Sequence, residues 1–156
     1  MRTTLFSAKA EYACIAMLEL AAHYGDSQPV RLKAIAEAHE IPDRFLVQIL
    51  LELKGAGLVV SARGAMGGYL LARSPDKITA ADIVGIAERH DRAARGASER
   101  KKPSRKIDNM PQTTAVQAVR ALWRDVEISQ KRLLEQITLA ELVRRTQESF
   151  ALSYNI

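Results

Sequence analysis

The most constraining feature of this sequence is a cluster of glycines between two short apolar runs. Five of the eight glycines lie between Gly55 and Gly68. The runs Leu58–Ser61 and Tyr69–Leu71 flank a turn at Gly64–Gly68 and predict a β-hairpin, because glycine supplies the positive-φ positions that a tight turn needs. A nucleotide-binding phosphate loop is discounted, since the turn lacks the GxxxxGK[ST] pattern and no helix follows it.

Three helices are predicted before the hairpin. Apolar residues recur with helical spacing from Ser7 to Tyr24, and Gly25-Asp26-Ser27 ends the pattern. The shorter helices Leu32–His39 and Asp43–Lys54 are separated at Ile41-Pro42-Asp43, because proline lacks the amide that a helix interior needs. The expected apolar face of the third helix consists of Phe45, Leu46, Ile49, Leu50 and Leu53.

Three further helices are predicted after the hairpin. Thr79 is an N-cap candidate for a helix over Ala80–Glu88, and Thr138 with Glu141 forms a capping-box pattern before a final helix over Leu139–Ser149. Between them, a long helix over Thr113–Ile137 has residues at alternating steps of three and four, namely Val119, Leu122, Val126, Ser129, Leu133 and Gln136. This spacing is typical of a coiled-coil seam, which must be covered by the N-terminal part of the chain or by a second copy.

The positive charge of the chain is concentrated in one segment. The formal net charge is +5, and the stretch from Arg89 to Lys106 alone has eight basic residues against two acidic ones. Such a run could contact phosphates as an arm, but in a segment with serine, glycine and proline it is more often a solvated linker. We therefore expect a domain over residues 1–88, a basic flexible linker over 89–112, and a dimerisation helix with a C-terminal helix over 113–156.

Several protein classes are disfavoured by composition. Cys14 is the single cysteine, and the histidines His23, His39 and His90 are far apart in sequence, so we expect neither a disulfide nor a metal centre. No apolar run is long enough for a membrane span, and a secretory signal is not evident, so we expect a cytoplasmic protein. No paired carboxylates, activated nucleophile or cofactor loop indicates an enzyme.

Two short helices joined by a tight turn and followed by a hairpin are the plan of a winged helix-turn-helix protein. The fold class expected is mainly α, with a small β-hairpin wing and a long dimerisation helix. The recognition helix would be Asp43–Lys54, with Asp43, Arg44 and Gln48 near its N-terminus. Gln48 suits adenine and Arg44 suits guanine or a phosphate, while Arg63 in the wing would face the minor groove. Arg31 and Lys33 are candidates for holding the DNA backbone, although each of these side chains taken alone is more often simply solvated.

A set of motifs spread over nearly the whole chain carries a family resemblance. They are Ser7-Ala8-Lys9-Ala10-Glu11-Tyr12-Ala13, Phe45-Leu46-Val47-Gln48-Ile49-Leu50, Gly57-Leu58-Val59, Arg63-Gly64-Ala65-Met66-Gly67-Gly68-Tyr69, Ile78-Thr79, Leu122-Trp123 and Thr138-Leu139-Ala140-Glu141-Leu142. Together they resemble the Rrf2 family of bacterial transcriptional regulators, and the wing motif is the most specific of them. The resemblance implies a homodimer, joined through the long helix, that binds a roughly palindromic operator of double-stranded DNA.

The chain also departs from that family's pattern. Cluster-binding members have three cysteines before the long helix, and some have a histidine where this chain has Arg120; no cysteine lies between Glu88 and Thr113. Because thiolates hold iron–sulfur clusters, we expect no conventional cluster and no other cofactor. Val47 replaces a glutamate common in the recognition helix, which favours contact with a thymine methyl over a cytosine amino group. Met66 replaces a wing glycine and would contact sugars or pack against the protein.

Cys14 and Trp123 each have two interpretations. Cys14 lies in an apolar helical run and is more often a small buried side chain than a redox-sensing thiol. Trp123 adjoins the seam and is expected in the dimer core with Val119, Leu122, Val126 and Leu133, although a ligand pocket would also use it. The predicted function is a DNA-binding transcriptional regulator that is not an enzyme; the alternative is a module of the same fold that binds a partner protein and not DNA. A small-molecule or protein effector is left open.

Overall fold

The computed structural model describes residues 5–98 and 110–154. Within these residues, six α-helices and one antiparallel hairpin are formed. In chain order the elements are α1 (Ala8–Ala22), α2 (Leu32–His39), α3 (Asp43–Gly55), β1 (Val59–Ala62), β2 (Gly68–Leu71), a 3-10 turn (Pro75–Lys77), α4 (Ala80–Ser98), α5 (Thr114–Gln136) and α6 (Leu139–Tyr154). The mainly helical fold with a hairpin wing that the sequence predicts is confirmed.

Helix α1 is the centre of the core and packs against α3, α4 and α6. The Ser7 hydroxyl oxygen accepts the backbone N–H of Ala10 at 3.1 Å and so starts the helix. Ala10, Ala13 and Ala16 are buried, and such small side chains let neighbouring helices approach closely. The helix ends two residues before the predicted Tyr24, ahead of a turn in which Gly25 has a φ of +92°.

Helices α2 and α3 form the predicted helix-turn-helix. Glu40 ends α2 in the left-handed region, Ile41 is buried, and Pro42 precedes the first turn of α3. Leu46, Ile49, Leu50 and Leu53 are buried as expected, and this is the face that fixes α3 on the core.

Phe45 is the exception on the predicted apolar face of α3, because 47% of its surface is exposed. The Phe45 side chain lines a cavity between α1 and α3 that is also lined by Ala8 and Tyr12, so α1 does not pack closely over the ring. The prediction that Phe45 belongs to the buried face was therefore wrong.

The hairpin pairs β1 with β2, from Val59 opposite Leu71 to Ala62 opposite Gly68. Strand β2 is joined to the segment before α2 by two backbone hydrogen bonds between Val30 and Tyr69, of 2.8 and 3.0 Å. Gly68 makes this approach possible, since a Cβ there would lie 2.4 Å from the Val30 carbonyl oxygen.

Helix α4 starts at the predicted place but is longer than predicted. The Thr79 hydroxyl accepts the Asp82 N–H at 3.1 Å, and the Asp82 carboxylate accepts the Thr79 N–H at 3.0 Å, which caps the helix reciprocally. The helix continues to Ser98 and not to Glu88, because alanine and arginine, which dominate residues 89–98, are good helix formers. Residues 99–109 of the predicted linker lie outside the described part of the chain.

Helix α6 begins at the predicted cap Thr138, and α5 begins after Thr113, the predicted start of the long helix, whose hydroxyl also caps it by accepting the Val116 N–H. The backbone at Thr138 pairs with that at Thr79, through bonds of 2.8 Å from Ala80 N–H to Ile137 and from Leu139 N–H to Ile78. Leu139 is fully buried, so α6 contributes to the same core as α1. Helix α6 extends to Tyr154, beyond the predicted end at Ser149.

Candidate nucleic-acid interface

The face of α3 opposite the core presents the predicted base-contacting residues to solvent. Asp43, Arg44, Val47 and Gln48 are all exposed, in the first two turns of the helix. The guanidinium carbon of Arg44 lies 4.7 Å from the centre of the Phe45 ring, within the range of a cation–π contact. The exposed aromatic ring thus holds one of the predicted DNA-contacting side chains.

Gln48 is linked to a charged pair that sequence reasoning missed. Its amide donates to a carboxylate oxygen of Glu52 at 3.2 Å, and the same oxygen accepts from the Lys9 ammonium at 2.7 Å. The Glu52 side chain is only 8% exposed. A helical wheel of α3 cannot reveal this burial, because the neutralising charge comes from α1; the lysine in the α1 motif is the only sequence signal.

Arg63 and Met66 lie in the turn between β1 and β2 and are exposed, as expected for residues at the end of a wing. Arg31, which was expected to hold the DNA backbone, donates to the Ala65 carbonyl oxygen at 2.7 Å and so supports the wing turn. A guanidinium has five N–H donors, and one such bond leaves others for a phosphate. Lys33, in the first turn of α2, is exposed.

The predicted seam of α5 is uncovered in the single chain. The helix has no buried residue. Its exposed apolar side chains include the five expected at a dimer interface, with exposed fractions of 49% for Val119, 54% for Leu122, 60% for Trp123, 40% for Val126 and 58% for Leu133. Folding of one chain therefore leaves this apolar surface in water.

Cys14 packs against the core and is partly buried. Burial, with a smaller contribution from the Glu11 charge, raises the pKa of the Cys14 thiol to about 11. The thiol is therefore protonated at neutral pH and a poor nucleophile, which supports the interpretation as a packed side chain. Arg120 is half-buried.

Residues 5–98 and 110–154 contain neither a cluster of metal-ligating side chains nor a membrane-spanning helix. No three histidine, cysteine or acidic side chains in these ranges are placed to hold a metal ion. None of the helices found there is long and apolar enough to cross a membrane.

Comparison with known proteins agrees with this geometry. The family model Rrf2, described as "Iron-dependent Transcriptional regulator", matches residues 6–145. The chain is 34% identical over 137 residues to the HTH-type transcriptional regulator IscR of Sodalis glossinidius, covering 88% of this chain and 77% of that protein. It is 44% identical over 82 residues to the HTH-type transcriptional regulator CymR of Bacillus subtilis, covering 53% of this chain but only 59% of that protein.

Solved structures give the same result over longer stretches. The structure of T. potens IscR superposes with a TM-score of 0.70 and 32% identity, covering 96% of this chain and 90% of that one. The structure of CymR, the global cysteine regulator of B. subtilis, also superposes with a TM-score of 0.70, with 31% identity, covering 92% of this chain and 98% of that one. The match of the family model to residues 6–145, together with a relative of 34% identity covered to 77%, shows that this protein belongs to the Rrf2 family of transcriptional regulators.

Proposed function

We propose that this protein binds double-stranded DNA as a homodimer at a palindromic operator, with one α3 helix in the major groove of each half-site. The observation that carries the proposal is the two-sided character of α3. One side is fixed on the core by four buried residues, and the other exposes Arg44, Val47 and Gln48 beside a wing that carries Arg63. A rigid helix with such donors near its N-terminus suits groove recognition.

Each exposed side chain of α3 has a chemistry that base edges can match. The Gln48 amide suits adenine, the Arg44 guanidinium suits guanine or a phosphate, and the Val47 side chain suits a thymine methyl group. The Asp43 carboxylate lies at the N-terminus of α3, where it interacts favourably with the helix dipole, and it suits a hydrogen bond from a base amino group. In the wing, Arg63 suits a narrow minor groove and Met66 suits sugar contacts, while Lys33 and Arg31 suit phosphates.

Dimerisation is supported by the exposed seam of α5. In a symmetric dimer, Val119, Leu122, Val126 and Leu133 of one chain would meet the same residues of its partner, and Trp123 would pack beside them. The polar seam members Ser129 and Gln136 lie toward the C-terminal end of α5, so we assign most of the free energy of dimerisation to the N-terminal half of the seam.

The residues present do not fit an iron–sulfur cluster, despite the description of the family model. Iron in such clusters is held mainly by thiolates, and the one cysteine is a protonated thiol in the packed part of α1. We propose that the protein regulates without a cluster. Anaerobically purified protein should lack the visible absorbance of a cluster, and stoichiometric iron and sulfide would overturn this part of the proposal.

The DNA proposal is tested by fluorescence anisotropy with DNA from upstream of the protein's own gene, with unrelated DNA as competitor, at several salt concentrations. We expect saturable binding that survives the competitor and weakens steeply with salt, because phosphate contacts release counterions. Arg44→Ala should weaken binding, whereas Arg124→Ala, which removes an exposed arginine from the outer face of α5, should not. Equal binding to unrelated DNA, or equal effects of the two variants, would contradict the proposal.

A further inference from the structure

A cavity of about 390 Å³ lies between the start of α1 and the recognition helix α3. Its apolar wall is formed by Ala8 and Tyr12, one turn apart on α1, and by Phe45 and Ile49, one turn apart on α3. Tyr12 and Ile49 belong to or pack against the core, whereas Phe45 is exposed. Two aromatic rings therefore border a concave apolar space at the DNA-reading helix.

The cavity has one polar side, formed by Lys9, Gln48 and Glu52. The ammonium of Lys9 and the carboxylate of Glu52 are 2.7 Å apart, so their charges largely cancel. Gln48 donates its N–H to the same carboxylate, which leaves its amide oxygen as an acceptor. A cavity of this size, mostly apolar with a few convergent polar groups, has the usual character of a small-molecule site.

We propose that this cavity binds an uncharged aromatic molecule with one hydrogen-bonding group, and that the bound molecule competes with DNA. The aromatic part would lie between Tyr12 and Phe45, and a hydroxyl or amide would bond to Gln48. A charged ligand is disfavoured, because the Lys9–Glu52 pair offers no net charge to balance it.

The coupling to DNA follows from shared residues and therefore rests on the proposed function. Gln48 lines the cavity and is also the residue assigned to adenine. Phe45 lines it too and carries Arg44 against its ring at 4.7 Å. A molecule that displaces the ring or engages the Gln48 amide would alter two of the side chains that read DNA.

The site is tested first without DNA, by calorimetric titration of the full-length protein with 2-naphthol. We expect saturable binding, and weaker binding of the charged 2-naphthoate, which has the same ring system. Ala8→Leu should fill the cavity from its exposed edge and weaken 2-naphthol binding about tenfold or more, which corresponds to roughly 1.4 kcal/mol. The matched control is Ala22→Leu, an exposed alanine at the other end of α1.

The second measurement adds 2-naphthol to the operator complex. In the wild-type protein and in Ala22→Leu, 2-naphthol should weaken DNA binding. In Ala8→Leu its effect on DNA binding should be far smaller. If 2-naphthol does not bind saturably, or binds Ala8→Leu as tightly as the wild-type protein, the proposed site is wrong. If 2-naphthol binds but leaves the affinity for DNA unchanged, the proposed competition is wrong. If 2-naphthol binds as expected but no DNA is bound specifically, the site is supported and the proposed function fails.

Discussion

Leu122 lies on the seam of α5 with 54% of its surface exposed, and its replacement tests directly whether a second chain covers that seam. Full burial of a leucine contributes about 1.5 to 3 kcal/mol, so burial of the remaining half contributes roughly 1 kcal/mol in each chain. A two-fold interface contains the residue twice, and Leu122→Ala should therefore weaken the dimer by about 2 kcal/mol, or about 30-fold in Kd.

Leu122→Glu should have a larger effect, because two carboxylates would face each other in an apolar interface. The matched control is Ile128→Glu, since Ile128 is a similarly exposed apolar residue on the same helix, at 48%, but lies off the seam. Sedimentation equilibrium measures both dimer constants, and circular dichroism checks that each variant is folded. The reasoning is refuted if Leu122→Glu remains as dimeric as the wild-type protein, or if Ile128→Glu dissociates equally.

Three further predictions concern the wing, the glycines and one histidine. Arg63→Ala should weaken DNA binding and make the negative slope of log affinity against log salt shallower by about one, with the dimer unchanged in sedimentation; an unaltered affinity and slope would contradict the wing contact. Gly68→Ala should destabilise the protein by roughly 1 to 3 kcal/mol in urea unfolding, because its Cβ would meet the Val30 carbonyl, whereas Gly85→Ala in open space on α4 should stabilise it by about 0.5 to 1 kcal/mol. The Asp26 carboxylate, together with Glu19, raises the pKa of His23, so the stabilisation lost in His23→Gln should be fullest below about pH 6.5, the unfolded-state value, and should disappear as pH rises through the folded-state pKa. Equal thermal shifts of this variant at pH 6 and pH 9, as approximate test points, would contradict the histidine prediction.

Local signals in the sequence determined most element positions. Pro42 and the cap candidates Thr79 and Thr138 predicted the starts of three helices correctly, because each of these signals acts through residues within one turn. Helix ends were less predictable. The continuation of α4 to Ser98 was missed because a run of arginine and alanine is compatible with both a helix and a solvated linker.

The parts of the candidate site that were missed depend on contacts between distant segments. The burial of Glu52 requires Lys9, forty-three positions earlier, and the support of the wing turn requires Arg31 to reach Ala65. Phe45 matched the periodicity of a buried face and is exposed, because periodicity does not report whether the neighbouring helix closes over a side chain, and here a cavity lies between α1 and α3. The residue pattern predicted which side chains of α3 are exposed but not the contacts that hold them.

The paired backbone at Thr79 and Thr138 has a practical consequence for anyone who shortens this chain. Because Leu139 is buried with the residues of α1, a deletion from Thr138 onward would remove a core side chain and the backbone hydrogen bond that the Leu139 N–H donates to Ile78. A truncated protein that failed to bind DNA would then report unfolding and not the loss of a partner. Monomers for binding studies should therefore be made by point substitution in α5, with both chain termini left intact.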